Sequence, residues 1–215
     1  MKLYTLLEKP IVYQIVQIVL APGMHGIVKR QLTKMTAEIP HKALVLDVAC
    51  GPSSRLWRIG MRPIGLDLSH TYALKFRESG GVSVTASARE LPFRSDTFDA
   101  VLCFGLLHHL PEDVARTAVS EIVRVTRPGG HVIVFDPVLP KVSWRRPVAW
   151  TLCKLDRGRF IRRQPEYQSR ILSPDPWKVE RMMHSYLGTE GVFCLLKKRS
   201  KIVHASEVTG QPHRS

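Results

Sequence analysis

Two aspartates twenty residues apart, each closing a short apolar run, constrain this chain more than any other feature. Val45-Leu46 leads into Asp47-Val48, after which the chain turns through Ala49-Cys50-Gly51-Pro52-Ser53; Ile64-Gly65-Leu66 leads into Asp67-Leu68. Short apolar runs that alternate with helical stretches are the pattern of a parallel sheet wrapped by helices, each strand buried on both faces. That reading places strands at 43–48, 62–67, 81–85, 98–104 and 130–136, with helices near 53–59, 70–78 and 112–126. The last helix is expected to stop at Arg127-Pro128-Gly129-Gly130, because proline lacks the donor a helix needs and glycine favours a break.

Around this core, at 41–137, the chain divides by pattern. Residues 1–40 read as a helical cap: Ile11, Val12, Ile15, Val16 and Val19 recur at helical spacing, and Ala21-Pro22-Gly23 separates a first helix from a second within 3–38. The apolar run Ile11–Ala21 is shorter than the ~20 residues that cross a bilayer, so neither a signal peptide nor a transmembrane helix is expected. Residues 138–178 read as a basic lid. Within 141–170 nine cations face two acids, which concentrates half of the net charge of +14 in one segment. Trp144, Trp150, Phe160 and Tyr167 lie in the same stretch and need something apolar to cover, so it is expected to fold as a lid or surface helix. Residues 179–199 read as a hairpin, two apolar runs at 180–187 and 191–198 joined by Gly188-Thr189-Glu190-Gly191, and 200–215 as a flexible tail. One domain over 1–199 results. Four dispersed cysteines without a Cys-x-x-Cys pair point to a reducing, cytoplasmic setting.

An acid twenty residues beyond the first strand end stands where nucleotide-binding βαβ units accept from ribose hydroxyls. Four elements then fall in order: the loop Asp47 to Ser53; Gly65-Leu66-Asp67-Leu68-Ser69; Ala88-Arg89-Glu90-Leu91-Pro92-Phe93 followed by Thr97-Phe98-Asp99-Ala100-Val101; and Arg127-Pro128-Gly129-Gly130. Over roughly 43–136 the chain resembles the class I S-adenosylmethionine-dependent methyltransferases, in particular the group that includes ubiquinone/menaquinone C-methyltransferases and small sugar O-methyltransferases. The resemblance implies a Rossmann-like α/β fold: a mostly parallel seven-stranded sheet with a C-terminal antiparallel hairpin and an N-terminal helical cap. It implies S-adenosylmethionine as cofactor, with Asp47, Ala49, Cys50 and Gly51 cradling its methionine part and Asp67 with Leu68 at the ribose. Ser87, Ala88 and Arg89 would border the adenine, and Cys103 and Phe104 would close the pocket. The sequence departs from the family pattern where Ala49 and Ser53 replace loop glycines and Ser87 replaces an acid. A nicotinamide-binding unit would need glycines where Ala49 and Ser54 stand.

Methyl transfer to an oxygen or a carbon, both open here, is an in-line displacement on an electrophilic sulfonium, for which a protein supplies orientation, exclusion of water and, for a hydroxyl acceptor, a base. His108-His109 follows the fourth strand and Asp136 ends the fifth; neighbouring strands would bring both to one sheet edge. Sugar O-methyltransferases that the chain resembles use a histidine and an aspartate in these places, which implies His108 as base and Asp136 as its orienting partner. Adjacent histidines rarely converge on one ion, and no metal site is expected.

The expected acceptor is small, or sugar- or lipid-linked, and anionic, held by arginines of 141–170; the same segment also suits an anionic membrane surface. The charge and aromatics raise a nucleic-acid methyltransferase as an alternative. Against it, the fourth strand ends in Cys103-Phe104-Gly105-Leu106 and not in the Asn/Asp-Pro-Pro-aromatic run of enzymes that methylate base amino groups. The loop departures raise a non-catalytic binding protein as a third.

Overall fold

A computed structural model describes residues 24–156, 158–172, 176–183 and 190–199. Five apolar runs become parallel strands: β1 (Val45–Val48), β2 (Ile64–Asp67), β3 (Val82–Thr85), β4 (Phe98–Phe104) and β5 (Thr126–Val138). β6 (Lys178–Met183) and β7 (Glu190–Lys197) complete a seven-stranded sheet of order β3-β2-β1-β4-β5-β7-β6, with β7 antiparallel to both neighbours. The order reverses at β1 and β4, which opens a crevice at their carboxyl ends.

Alternation along the strands sends side chains into two cores. Leu46, Val48, Leu66, Val101, Cys103, Val132 and Val134 meet Ala115, Ala118 and Ile122 of α3 (Glu112–Val125) and Tyr167 of α5 (Gln164–Arg170). On the other face Val45, Ala100, Leu102, Ile133 and Phe193 meet Val28, Leu32 and Met35 of α1 (Met24–Met35). This helix is the second of the two expected in the cap; the first, and the tail 200–215, lie outside the described residues. Remaining helices are α2 (His70–Glu78), whose Ser69 side chain accepts from Tyr72 N, and α4 (Pro147–Leu155) in the basic segment. Among the described residues no helix is long and apolar enough to cross a membrane.

Three local expectations are corrected. The helix expected at 53–59 is a short 3-10 turn, Arg55–Ile59, capped by Ser54 and ended by Gly60 in the left-handed region at φ 82°. Pairing in the fifth strand begins at Thr126, four residues before the expected start: Phe98 pairs with Thr126, the register shifts, and Ala100 pairs with His131. Pro128 and Gly129 lie in the bulge, where a missing donor costs no ladder bond. A Cβ on Gly130 would stand 2.8 Å from Asp99 O, so only glycine fits that approach. Beyond β7, Lys198 Nζ donates to Val123 O at 2.9 Å and Thr126 O at 2.6 Å, satisfying carbonyls that the end of α3 leaves open. β6 covers 178–183 where 180–187 was expected, and 184–189 lie outside the described residues.

Candidate active site

Parallel register puts the two aspartates on one face. Asp47 pairs with Gly65, two residues before Asp67, and side chains two apart on a strand share a side. Asp47 is buried, its Oδ2 accepting from Ser54 Oγ at 2.5 Å. Burial pushes its carboxyl up to about 7, against the Ser54 hydrogen bond and the Arg55 charge, while nearby Asp67 adds to the rise. Asp67 accepts from Gly51 N at 2.9 Å through Oδ2 and from Ser69 N at 2.8 Å through Oδ1. A carboxylate offers about four lone-pair sites, so acceptor capacity remains for hydroxyl groups.

The loop between them is held tightly. Ala49 and Gly51 are both left-handed, at φ 58° and 62°, and Cys50 N donates to Leu66 O at 3.1 Å. Ala49 stands where the family has glycine, and it adopts the conformation glycine would supply at some steric cost. A Cβ at Gly51 would meet nothing within 4 Å, so space lies open beside the turn. Cys50 is buried, and burial pushes its thiol up to about 12.

Leu68, 74% exposed, offers an apolar surface next to Asp67. Ala86 N donates to Asp67 O at 3.1 Å, which places Ser87 and Ala88, both half-buried, and exposed Arg89 just beyond the same strand end. Ser87 Oγ is engaged by Arg89 N at 3.2 Å. Phe104 is half-buried, with the Arg55 guanidinium 3.9 Å above its ring. Cys103 is fully buried on the opposite face, so any part it takes in the pocket passes through its backbone. Open space at Gly51, the Asp67 carboxyl with acceptor capacity to spare and an adjoining apolar surface fit S-adenosylmethionine.

At the edge of β4 and β5, His108 Nδ1 lies 2.9 Å from Asp136 Oδ1, both groups buried. The other ring nitrogen, Nε2, faces Asp156 Oδ1 at 3.5 Å, at the end of α4. Gly158 presses on the ring so closely that any Cβ there would overlap it. Phe160 N donates to His108 O at 2.9 Å, while Arg162 donates to Leu107 O at 3.1 Å and Leu110 O at 2.8 Å. The basic segment is therefore fastened over His108. Burial alone would lower the imidazole, but hydrogen bonds to Asp136 and Asp156 outweigh it and raise the ring to about 9. Asp156, half-buried, is drawn below the usual carboxylate range as those same contacts and Gly158 N outweigh its burial. Among the described residues, the buried Asp136 Oδ2 and Tyr167 hydroxyl find no hydrogen-bond partner.

Sequence reasoning did not single out Asp156, Gly158 or Arg162 as site residues. They sit in a segment without periodicity, and only its charge drew attention. Arg146 was counted among cations for an acceptor, yet it is buried and paired with Glu190, which also pairs with Arg181.

Residues 46–134 match the methyltransferase domain family. The chain is 35% identical over 101 residues to the tRNA (carboxymethyluridine(34)-5-O)-methyltransferase of Arabidopsis thaliana, a match covering 45% of this chain and 24% of that protein. It is 36% identical over 133 residues to the demethylmenaquinone methyltransferase of Thermobifida fusca, covering 56% and 55%. The chain thus spans about half or less of the length of these relatives. A solved SAM-dependent methyltransferase of Thermotoga maritima shares the fold with a TM-score of 0.64 at 15% identity, covering 91% of this chain and 100% of that one. The 3-2-1-4-5-7-6 sheet is shared with solved methyltransferases, and residues 46–134, with their paired strand-end aspartates, form a segment that matches the methyltransferase domain.

Proposed function

We propose that this chain methylates a hydroxyl on a small, or sugar- or lipid-linked, acceptor, with His108 as base and Asp136 as its orienting partner. The observation that carries the reading is the 2.9 Å contact between His108 Nδ1 and Asp136 at the carboxyl edge of the sheet. Asp67 and Leu68 would hold the ribose of S-adenosylmethionine and the 47–51 turn its methionine part; the cofactor supplies the electrophilic methyl group. Asp136 fixes Nδ1 as the protonated nitrogen, which leaves Nε2 to receive the acceptor's proton. In the closed arrangement Nε2 faces Asp156, and a ring flanked by two carboxylates keeps its own proton. An uncharged hydroxyl taking the place of Asp156 removes one of those carboxylates, lowers the imidazole toward neutrality and makes it a proton acceptor. Fastening of 158–162 over the site would exclude water during transfer.

The RNA alternative draws on one specific observation, the similarity to an enzyme named for a tRNA uridine, together with the net charge of +14. One experiment separates the readings: incubation with methyl-labelled S-adenosylmethionine and, in parallel, a total lipid extract, a polysaccharide fraction and total tRNA. Label is expected in lipid or saccharide. The His108→Asn variant is expected to lose on the order of 100-fold to 10,000-fold in transfer while calorimetric cofactor affinity stays the same. Label in tRNA alone, or full transfer by His108→Asn, would overturn the proposal.

A further inference from the structure

We propose that the outward face of α4 and the turn before it dock on an anionic lipid surface. Ala149 and Cys153, one turn apart, point inward, which leaves Val148, Trp150, Thr151 and Lys154 on the outside. The 3-10 turn Ser143–Arg145 adds Trp144, 77% exposed, and exposed Arg145, with Lys141 and Val142 just ahead of it. Trp150 is 40% exposed, and Phe160 in the following loop is exposed as well.

Charge fits the same partner. From Lys141 to Leu155 the sequence has four cations and no acid. Arg146 is consumed in a buried pair with Glu190, whereas Lys141, Arg145 and Lys154 stay on the surface. The cations lie beside the rings: the Arg145 guanidinium is 4.9 Å from the Trp144 ring centre and the Lys154 ammonium 5.5 Å from that of Trp150. Indole has an apolar body and one polar N–H, so it settles at headgroup depth, where an adjoining cation meets lipid phosphate.

RNA would also attract these cations and could stack on the rings, but it gains nothing from exposed Val142 and Val148. Aliphatic side chains among tryptophans on an acid-free helix match a surface that is apolar below and anionic above. Such docking brings the segment fastened over His108 to the lipid.

The test is co-sedimentation of the full chain with vesicles of phosphatidylcholine alone and of phosphatidylcholine with phosphatidylglycerol, without cofactor or acceptor. Its failure is therefore separable from failure of the proposed reaction. Binding is expected on the anionic vesicles only and is expected to fall with salt. Neutralising the cations by Lys141→Gln, Arg145→Gln and Lys154→Gln should weaken it on the order of 100-fold, at about fivefold per charge near the surface. Trp144→Ala with Trp150→Ala should weaken it at every salt concentration while calorimetric affinity for S-adenosylmethionine stays that of wild type, a readout that also reports folding. Equal partitioning onto neutral vesicles, an unaltered triple variant, or retention of total tRNA without vesicle binding would overturn the proposal.

Discussion

Replacing His108 by glutamine should change the pH dependence of stability by an amount fixed in the fold. The imidazole moves from an ordinary 6.5 to about 9 because two carboxylates hold its protonated form. Each pH unit between the two values corresponds to about 1.4 kcal/mol, so the ring contributes about 3 kcal/mol. A raised histidine favours the folded state fully below its unfolded value and loses that contribution as pH climbs through the folded one. The gap in stability between wild type and His108→Gln is therefore greatest at and below pH 6.5 and shrinks by about 3 kcal/mol as pH passes 9. Asp47, raised to about 7, and Cys50, raised to about 12, are common to both proteins and drop out of the difference, whereas Asp136 and Asp156 are coupled to His108, so the gap reports the ring together with its two acids. Urea unfolding at a series of pH values measures the gap, and a proton-detected titration of the His108 ring gives its midpoint directly. A gap flat across this window, or a ring that titrates near 6.5, would refute the picture of one imidazole clamped by two acids.

Asp156→Asn keeps the Asp136 contact but removes one carboxylate, so the ring should titrate at lower pH and the pH profile of methyl transfer should move the same way; an unmoved profile counts against Asp156 acting through His108. Gly158→Ala puts a methyl group into the His108 ring, and the loop should detach, seen as faster proteolysis at 156–163 with the core still folded. Asp67→Asn should weaken S-adenosylmethionine binding about 10-fold to 100-fold by calorimetry, the value of hydrogen bonds to a charged acceptor, and equal affinity would remove Asp67 from the ribose. Glu190→Gln removes the buried carboxylate that Arg146 and Arg181 share and should cost about 3–5 kcal/mol in urea unfolding; a loss under about 1 kcal/mol would show that this carboxylate is not what holds the two guanidinium groups.

Local chemistry alone determined much of this protein. Apolar runs ended by small or acidic residues define where strands stop, so β1, β2 and β4 and the positions of Asp47, Asp67 and His108 at their carboxyl ends were readable from side-chain pattern. Helix α2 was readable residue for residue, since Ser69 supplies a local cap that needs no distant partner. The fifth strand was misjudged at its start because Pro128 and Gly129 end a helix and also permit a bulge, and only the pairing with β4 selects between these. Tertiary structure alone decided what surrounds the proposed base. Asp156 and Gly158 reach His108 because α4 and its following loop fold back across the sheet edge, a contact between distant residues that no periodicity announces. The same holds for Arg146, which in sequence is one cation in a basic run and in the folded chain is a buried partner of Glu190. Sequence fixes short-range geometry through turns and alternation; which charges meet, and hence which groups titrate or stay sealed, is set by packing between elements far apart in the chain.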